Sequence, residues 1–164
     1  MMNGEFTQIL AAILAGLLVW AAVVDLRTRT IPDWVSIAVV AMAPLFWWAE
    51  SVAFYPDAVE RICAAILIFV IFFGMFWLGG MGGGDVKLGT AIGLWFAPLA
   101  TLKFFVITSL AGGFVSVGAW IYHHKIRRLE GKTEVPYGVA IAFGGLWLLA
   151  QRFLNQFAGL SLGN

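Results

Sequence analysis

The sequence predicts an all-α fold, a polytopic membrane helix bundle of about six transmembrane helices, and three observations carry that prediction. Hydrophobic residues make up 62% of the 164 and charged residues 12%, against roughly 45–50% apolar in soluble domains. Mean hydropathy is +0.92. The apolar residues fall into runs of crossing length, about 20 residues each, and the breaks between runs hold glycine, proline or charge.

Six spans with short connections use up the chain, so residues 1–164 are expected to form a single membrane-embedded domain with no separate soluble domain. The net charge of +1 offers nothing for a nucleic acid to bind, and the lipid bilayer is the implied partner. One cysteine, Cys63, excludes an internal disulfide and a CxxC zinc site; lying in an apolar run, it reads as a buried, inert thiol. Residues 1–8 carry Glu5 and no Lys or Arg, so they lack the basic region of a cleavable signal, and the first apolar run reads as a retained span.

That first run, Thr7 to Val24, ends at Asp25, with Arg27 and Arg29 just beyond. Pro32 and Asp33 stand where a second helix would start, and proline is harmless in a first turn because its missing N–H has no intrahelical partner there. The second run reaches about Ala49, with an expected kink at Pro44. A polar interval from Glu50 to Arg61 follows, then a third run from Ile62 to Leu78. The chain next loosens into Gly79-Gly80-Met81-Gly82-Gly83-Gly84-Asp85-Val86-Lys87-Leu88. Five glycines in six residues allow tight turning and close backbone approach.

From Leu88 to Tyr122 the apolar stretch is too long for one span. Pro98 and Lys103 interrupt it, which predicts a short helix over about Val86 to Ala100 and a longer one over Phe104 to Tyr122. The most charged segment, His123 to Glu134, comes next, and Pro136 to Phe153 closes the bundle. His123 and His124 lack a carboxylate or cysteine at ligand spacing and read as solvated interface residues, so no metal is expected. Most of the eight tryptophans should face lipid or the interfacial belt.

Seven of the ten Lys and Arg residues (Arg27, Arg29, Lys87, Lys125, Arg127, Arg128 and Lys132) fall on one side in this topology, leaving Arg61, Lys103 and Arg152 for the other. The positive-inside tendency puts the seven in the cytoplasm and the N-terminus outside. Two spans separate Asp25 from Asp85, so both emerge at the same face. An ionisable residue at such a depth is a functional candidate. Two carboxylates brought together cannot both stay charged cheaply and titrate as a pair; one can accept a proton from water while the other protonates a carbonyl oxygen, the division of labour in aspartic proteases. Asp25 ends its helix, where the macrodipole disfavours an anion, and Asp85 begins one, where it favours an anion. On this reasoning Asp85 is the more readily ionised. The bland reading of each residue alone is an interfacial cap, and the pair together leaves function and structure evenly matched.

Asp25-Leu26-Arg27-Thr28-Arg29-Thr30-Ile31-Pro32 resembles the first box of type IV prepilin peptidases, Gly82-Gly83-Gly84-Asp85-Val86-Lys87-Leu88 resembles their GxGD box, and Val135-Pro136-Tyr137-Gly138-Val139-Ala140-Ile141-Ala142 resembles their proline-glycine box. The resemblance implies a membrane aspartic endopeptidase of the bacterial inner membrane that needs no cofactor. It would remove the leader of prepilins or pilin-like (pseudopilin) subunits at the cytoplasmic face, with Asp25 and Asp85 as the catalytic pair. The small form resembles the CpaA/TadV-like branch serving Flp-type tight-adherence pili. Larger members are implied to carry a cysteine-tetrad zinc segment and to N-methylate the product; with Cys63 alone, no methyltransferase activity is expected here.

Asp33 replaces the asparagine common at that position in the family and reads as an N-cap of the second helix. Gly82, Gly84 and Lys87 are candidate substrate-binding residues, the glycines by admitting a peptide backbone and Lys87 by holding a carbonyl or acting on a carboxylate; a tight turn and a topology signal are the plain alternatives. Two other functions stay open at this point. One is a presenilin-like protease cutting within the bilayer, and the other is a non-enzymatic assembly or transport subunit using the aspartates for helix association or cation passage.

Overall fold

A computed structural model describes residues 2–121 and 136–161; the basic segment with His123, His124 and the Lys125 to Arg128 cluster lies outside the described residues. Six α-helices form the described fold: α1 (Met2–Thr28), α2 (Asp33–Ala49), α3 (Val59–Trp77), α4 (Gly83–Gly93), α5 (Pro98–Ile121) and α6 (Tyr137–Ser161). Four of them, α1, α3, α5 and α6, contain stretches long and apolar enough to cross a membrane, and α2 is a shorter apolar helix. With 11 residues and a rise of about 1.5 Å each, α4 extends only about 16 Å, shorter than the roughly 30 Å hydrocarbon core of a bilayer.

The short α4 is the centre of the bundle. Val86, Leu88, Gly89, Ala91, Ile92 and Gly93 are all buried, and α2, α3 and α6 pack around them. Close approach uses small residues, as membrane helices commonly do: Gly89 lies against the Phe72 ring of α3, and a side chain at Gly93 would meet the Ala65 backbone at 3.2 Å. On α1 a stripe of Leu10, Leu14, Leu18 and Ala21 is buried. Its steps of four, four and three residues are those of one helix face, and the next step of four lands on Asp25. The opposite faces are apolar as well, as suits contact with lipid: Trp20, Trp34, Trp48, Trp77 and Trp147 are exposed.

The division of the long apolar stretch holds, but its boundary moves. Pro98 opens α5 rather than lying within the short helix, and Lys103 lies inside α5. The carbonyls freed at this turn are satisfied by side chains, as a break inside a membrane requires. Trp47 Nε1 donates to Leu94 O at 2.8 Å, Arg61 to Trp95 O at 2.8 Å, and Thr101 Oγ1 lies 3.3 Å and 3.2 Å from Gly93 O and Phe96 O. Cys63 is exposed on α3, against the expectation of burial. An apolar run reports lipid as readily as core, so hydropathy alone could not separate the two.

Candidate active site

Asp25 and Asp85 come together. Both line one cavity of about 260 Å³, with Arg29, Thr30, Ile31, Gly82, Gly83 and Gly84. Their relative exposures are 3% and 6%. Two helix ends and the loops that adjoin them line this cavity.

The last turn of α1 supplies Asp25 from the buried stripe. Just beyond it, Arg29 adopts φ = 53°, the left-handed conformation usual for the residue that closes a helix, while its N–H donates to Asp25 O at 2.9 Å. This turn throws Thr30 and Ile31 back across the site. Ile31 then rests on the start of α4: a Cβ at Gly84 would lie 3.1 Å from Ile31 O, so the two loops touch only because position 84 has no side chain. Asp85 occupies the first turn of α4, where Gly82 N–H donates to its Oδ2 at 3.2 Å and its own N–H donates to Gly82 O at 3.1 Å. In the glycine loop, Gly79 turns with φ = 73°.

A further contact on Asp25 comes from α6 and was invisible in the pairing of two boxes. Gly138, in the first turn of α6, sits against Asp25 so closely that a Cβ there would lie 2.8 Å from Oδ2 and 2.9 Å from Cγ. The backbone amides of Gly138 and Val139 act on the Asp25 carboxylate, although Oδ2 completes no hydrogen bond of ordinary geometry among the described residues. Tyr137 anchors this end of α6: its hydroxyl is 2.9 Å from Ser116 Oγ, which is in turn 2.7 Å from Gly112 O. The signal was present in the proline-glycine box, but nothing local says what Gly138 touches.

Each carboxylate thus meets a helix N-terminus, Asp85 its own and Asp25 that of α6, so the contrast expected from their chain positions does not hold. Nor does its consequence for Asp85, which lies outside the four spans. Burial pushes its carboxyl up to about 7, the charge of Asp25 pushes the same way, and the Gly82 amide only partly offsets them. Desolvation outweighs the helix dipole because the group is almost fully removed from water. Asp85 Oδ1 and Asp25 Oδ2 are buried without a hydrogen-bond partner among the described residues.

Of the proposed binding residues, Gly82 and Gly84 line the cavity. Lys87 does not. Its Nζ pairs with Asp33 Oδ1 at 2.7 Å across the α2–α4 contact, and both line a groove on the outer side of α4 with Ser36, Ile37, Val40 and Phe69. Asp33 is therefore no N-cap: Pro32 holds that position and no side chain caps α2. Asp33 sits one residue too far along to reach the free amides, and Lys87 takes its carboxylate instead. Among the described residues no group of three His, Cys, Asp or Glu is placed to hold a metal ion.

The chain is 30% identical over 142 residues to the Escherichia coli (strain H10407) type 4 prepilin-like proteins leader peptide-processing enzyme, covering 82% of this chain and 48% of that protein. It is 29% identical over 150 residues to the prepilin leader peptidase/N-methyltransferase of Dickeya chrysanthemi, covering 89% and 50%. The Pseudomonas aeruginosa protein of the same description is 28% identical over 167 residues, covering 87% and 52%. The chain spans about half the length of these relatives, and no solved structure matches it. The type IV leader peptidase family (Peptidase_A24) matches over residues 12–117, from the buried stripe of α1 through both aspartates into α5, and the chain belongs to that family.

Proposed function

We propose that this chain is an aspartic endopeptidase of the bacterial inner membrane that cleaves the leader from prepilins or pilin-like subunits, with Asp25 and Asp85 as its catalytic pair. The observation that carries the reading is the burial of two carboxylates in one cavity, each with an oxygen left unpartnered among the described residues. Structural carboxylates buried in a membrane bundle are ordinarily paired with cations or donors. Two that crowd each other, next to space for water and a peptide backbone, suit the sharing of one proton.

In the reaction, the ionised member takes a proton from a water molecule as its oxygen attacks the scissile carbonyl carbon. The protonated member gives its proton to the carbonyl oxygen, forming a neutral gem-diol. Collapse of the diol breaks the C–N bond, with one carboxyl protonating the leaving nitrogen and the other recovering a proton from a diol hydroxyl. Hydrolysis then ends with the pair as it began. Asp25 lies within the last turn of α1 and Asp85 within the first of α4, which favours cleavage at the membrane face over cleavage at mid-bilayer.

The groove beside Lys87 supports a lateral approach for the substrate's apolar helix, since Ile37, Val40 and Phe69 line it within a few residues of the site. We place the dyad at the cytoplasmic face and the N-terminus outside, on the distribution of basic residues. We assign leader cleavage without methyl transfer, because one cysteine cannot form the tetrad that the resemblance associates with the methylating members.

Co-expression with a prepilin-like substrate tests this. The wild-type chain should produce the shorter product on a gel and by mass spectrometry, with an unmethylated new N-terminus. Asp25→Asn and Asp85→Asn should each lower cleavage by about 10³-fold or more. Processing at the wild-type rate by either variant would remove that residue from the mechanism, and a product 14 mass units heavier, on the order of one methyl group added to the backbone amine, would show methyl transfer.

A further inference from the structure

At the end of the bundle away from the dyad, a second cavity of about 530 Å³ lies beneath the α4–α5 turn, lined by Glu50, Arg61, Lys103, Gln151, Arg152 and Trp95, among others. These are the three cations that the sequence topology set apart from the other seven. They arrive from α3, α5 and α6, so their convergence is tertiary. Glu50 is consumed: Arg152 closes a bidentate ion pair with it and stacks over the Phe46 ring at 4.8 Å. Arg61 spends one of its N–H donors on Trp95 O, leaving others of the five that a guanidinium carries. Asp57 attracts Arg61 without forming an ion pair. Lys103 makes no hydrogen bond or ion pair among the described residues.

The lining therefore holds three cations against one carboxylate that is already engaged. Arg61 and Arg152 are half-buried, whereas Lys103 is exposed, so its ammonium stands at the open side of the cavity, free to meet an anion that enters. Trp48, 71% exposed, and the exposed Phe54 and Tyr55 flank this end of α2 and α3, as aromatic residues do at the membrane–water boundary, which puts the cavity within reach of lipid headgroups. A cavity of this size accommodates a headgroup with several waters at about 30 Å³ each.

We propose that this cavity is a binding site for a phosphate-bearing anion, the phosphodiester of an anionic lipid or a free phosphate, held by the Lys103 ammonium and the remaining donors of Arg61, with the Gln151 and Asn155 amides at its rim. Basic pockets between membrane helices recognise lipid phosphates in this way. The site is independent of the dyad and stands whether or not the protein cleaves prepilins.

The test uses the full chain in a neutral detergent, with thermal unfolding followed on addition of phosphatidylglycerol, phosphatidylcholine or inorganic phosphate. Phosphatidylglycerol should raise the midpoint by about 5 °C at saturation, and phosphatidylcholine should not. Lys103→Gln, an exposed change that spares the Arg61 cap on Trp95 O, should remove most of the gain, whereas Lys87→Gln at the other end should keep it. Native mass spectrometry should show phosphatidylglycerol retained by the wild type and lost from Lys103→Gln. An equal gain from inorganic phosphate supports the site and assigns it to a free anion. Equal gains from both lipids, no gain from any phosphate, or an undiminished gain in Lys103→Gln would overturn it.

Discussion

At the dyad end, two carboxylates of like sign share a cavity and leave oxygens unpartnered among the described residues. At the opposite end, Glu50 is clasped by the two terminal nitrogens of Arg152, and Arg61, Trp47 and Thr101 satisfy the carbonyls of a broken helix. Both ends interrupt the bundle with polar groups at membrane depth. One of them pairs its carboxylate and caps its freed carbonyls, which stabilises the fold; the other leaves two carboxylates facing each other with oxygens unpartnered among the described residues. Substitutions should divide accordingly, into those that alter cleavage with little effect on stability and those that do the reverse.

The largest effect beyond the aspartates themselves is expected from Gly138→Ala. The added methyl would stand 2.8 Å from Asp25 Oδ2, and displacing a reacting group by about 1 Å can cost about 10²-fold in rate. Gly113→Ala, where a Cβ meets nothing within 4 Å, should cleave at the wild-type rate. Equal rates in the two variants would separate α6 from the chemistry.

Stability should depend on pH through Asp85. The folded chain holds that proton up to about 7 whereas the ordinary value is 3.8, so across this interval the folded state binds more protons than the unfolded one. Stability is then highest at low pH, falls as pH rises from about 4 to about 7, and levels off above, by an amount on the order of a few kcal/mol. Asp85→Asn should flatten that slope in thermal unfolding measured across the range. An unchanged slope would mean that burial at the dyad end does not raise the Asp85 carboxyl.

Next in size is Glu50→Gln at the other end. Losing one partner of a half-buried bidentate pair should destabilise the protein by about 1–3 kcal/mol, while cleavage per folded molecule stays unchanged. A loss of cleavage without a loss of stability would break the contrast between the two ends. The smallest effect is expected for Asp33→Asn: its partner Lys87 and Asp33 itself have side chains 54% and 64% exposed, and such ion pairs contribute under about 1 kcal/mol.

Much of this was legible in the chain. Run lengths separated the helices, and the two apolar runs between Asp25 and Asp85 led to the expectation that the two meet, as they do in one cavity. The Pro98 boundary was recoverable from the preference of proline for a first helical turn. Cys63 and Asp33 were misread for different reasons. Lipid and core look alike to hydropathy, so the exposed face of α3 carried no mark. Asp33 had a cap within its vocabulary, but Lys87, 54 positions away, offered a better partner.

The sequence by itself determined that the protein lives in a membrane, that its polar residues gather at helix ends, and that Asp25 and Asp85 emerge together, because bilayer thickness and chain connectivity leave little freedom in those matters. Only the tertiary structure decided what surrounds each charge. It brought the α6 N-terminus onto Asp25 and sank Asp85 far enough that desolvation overrides its helix dipole. It also drew Arg61, Lys103 and Arg152 from three helices around one cavity. Electrostatic environment depends on distances of a few ångströms between segments remote in sequence, and neither spacing nor composition encodes those distances locally.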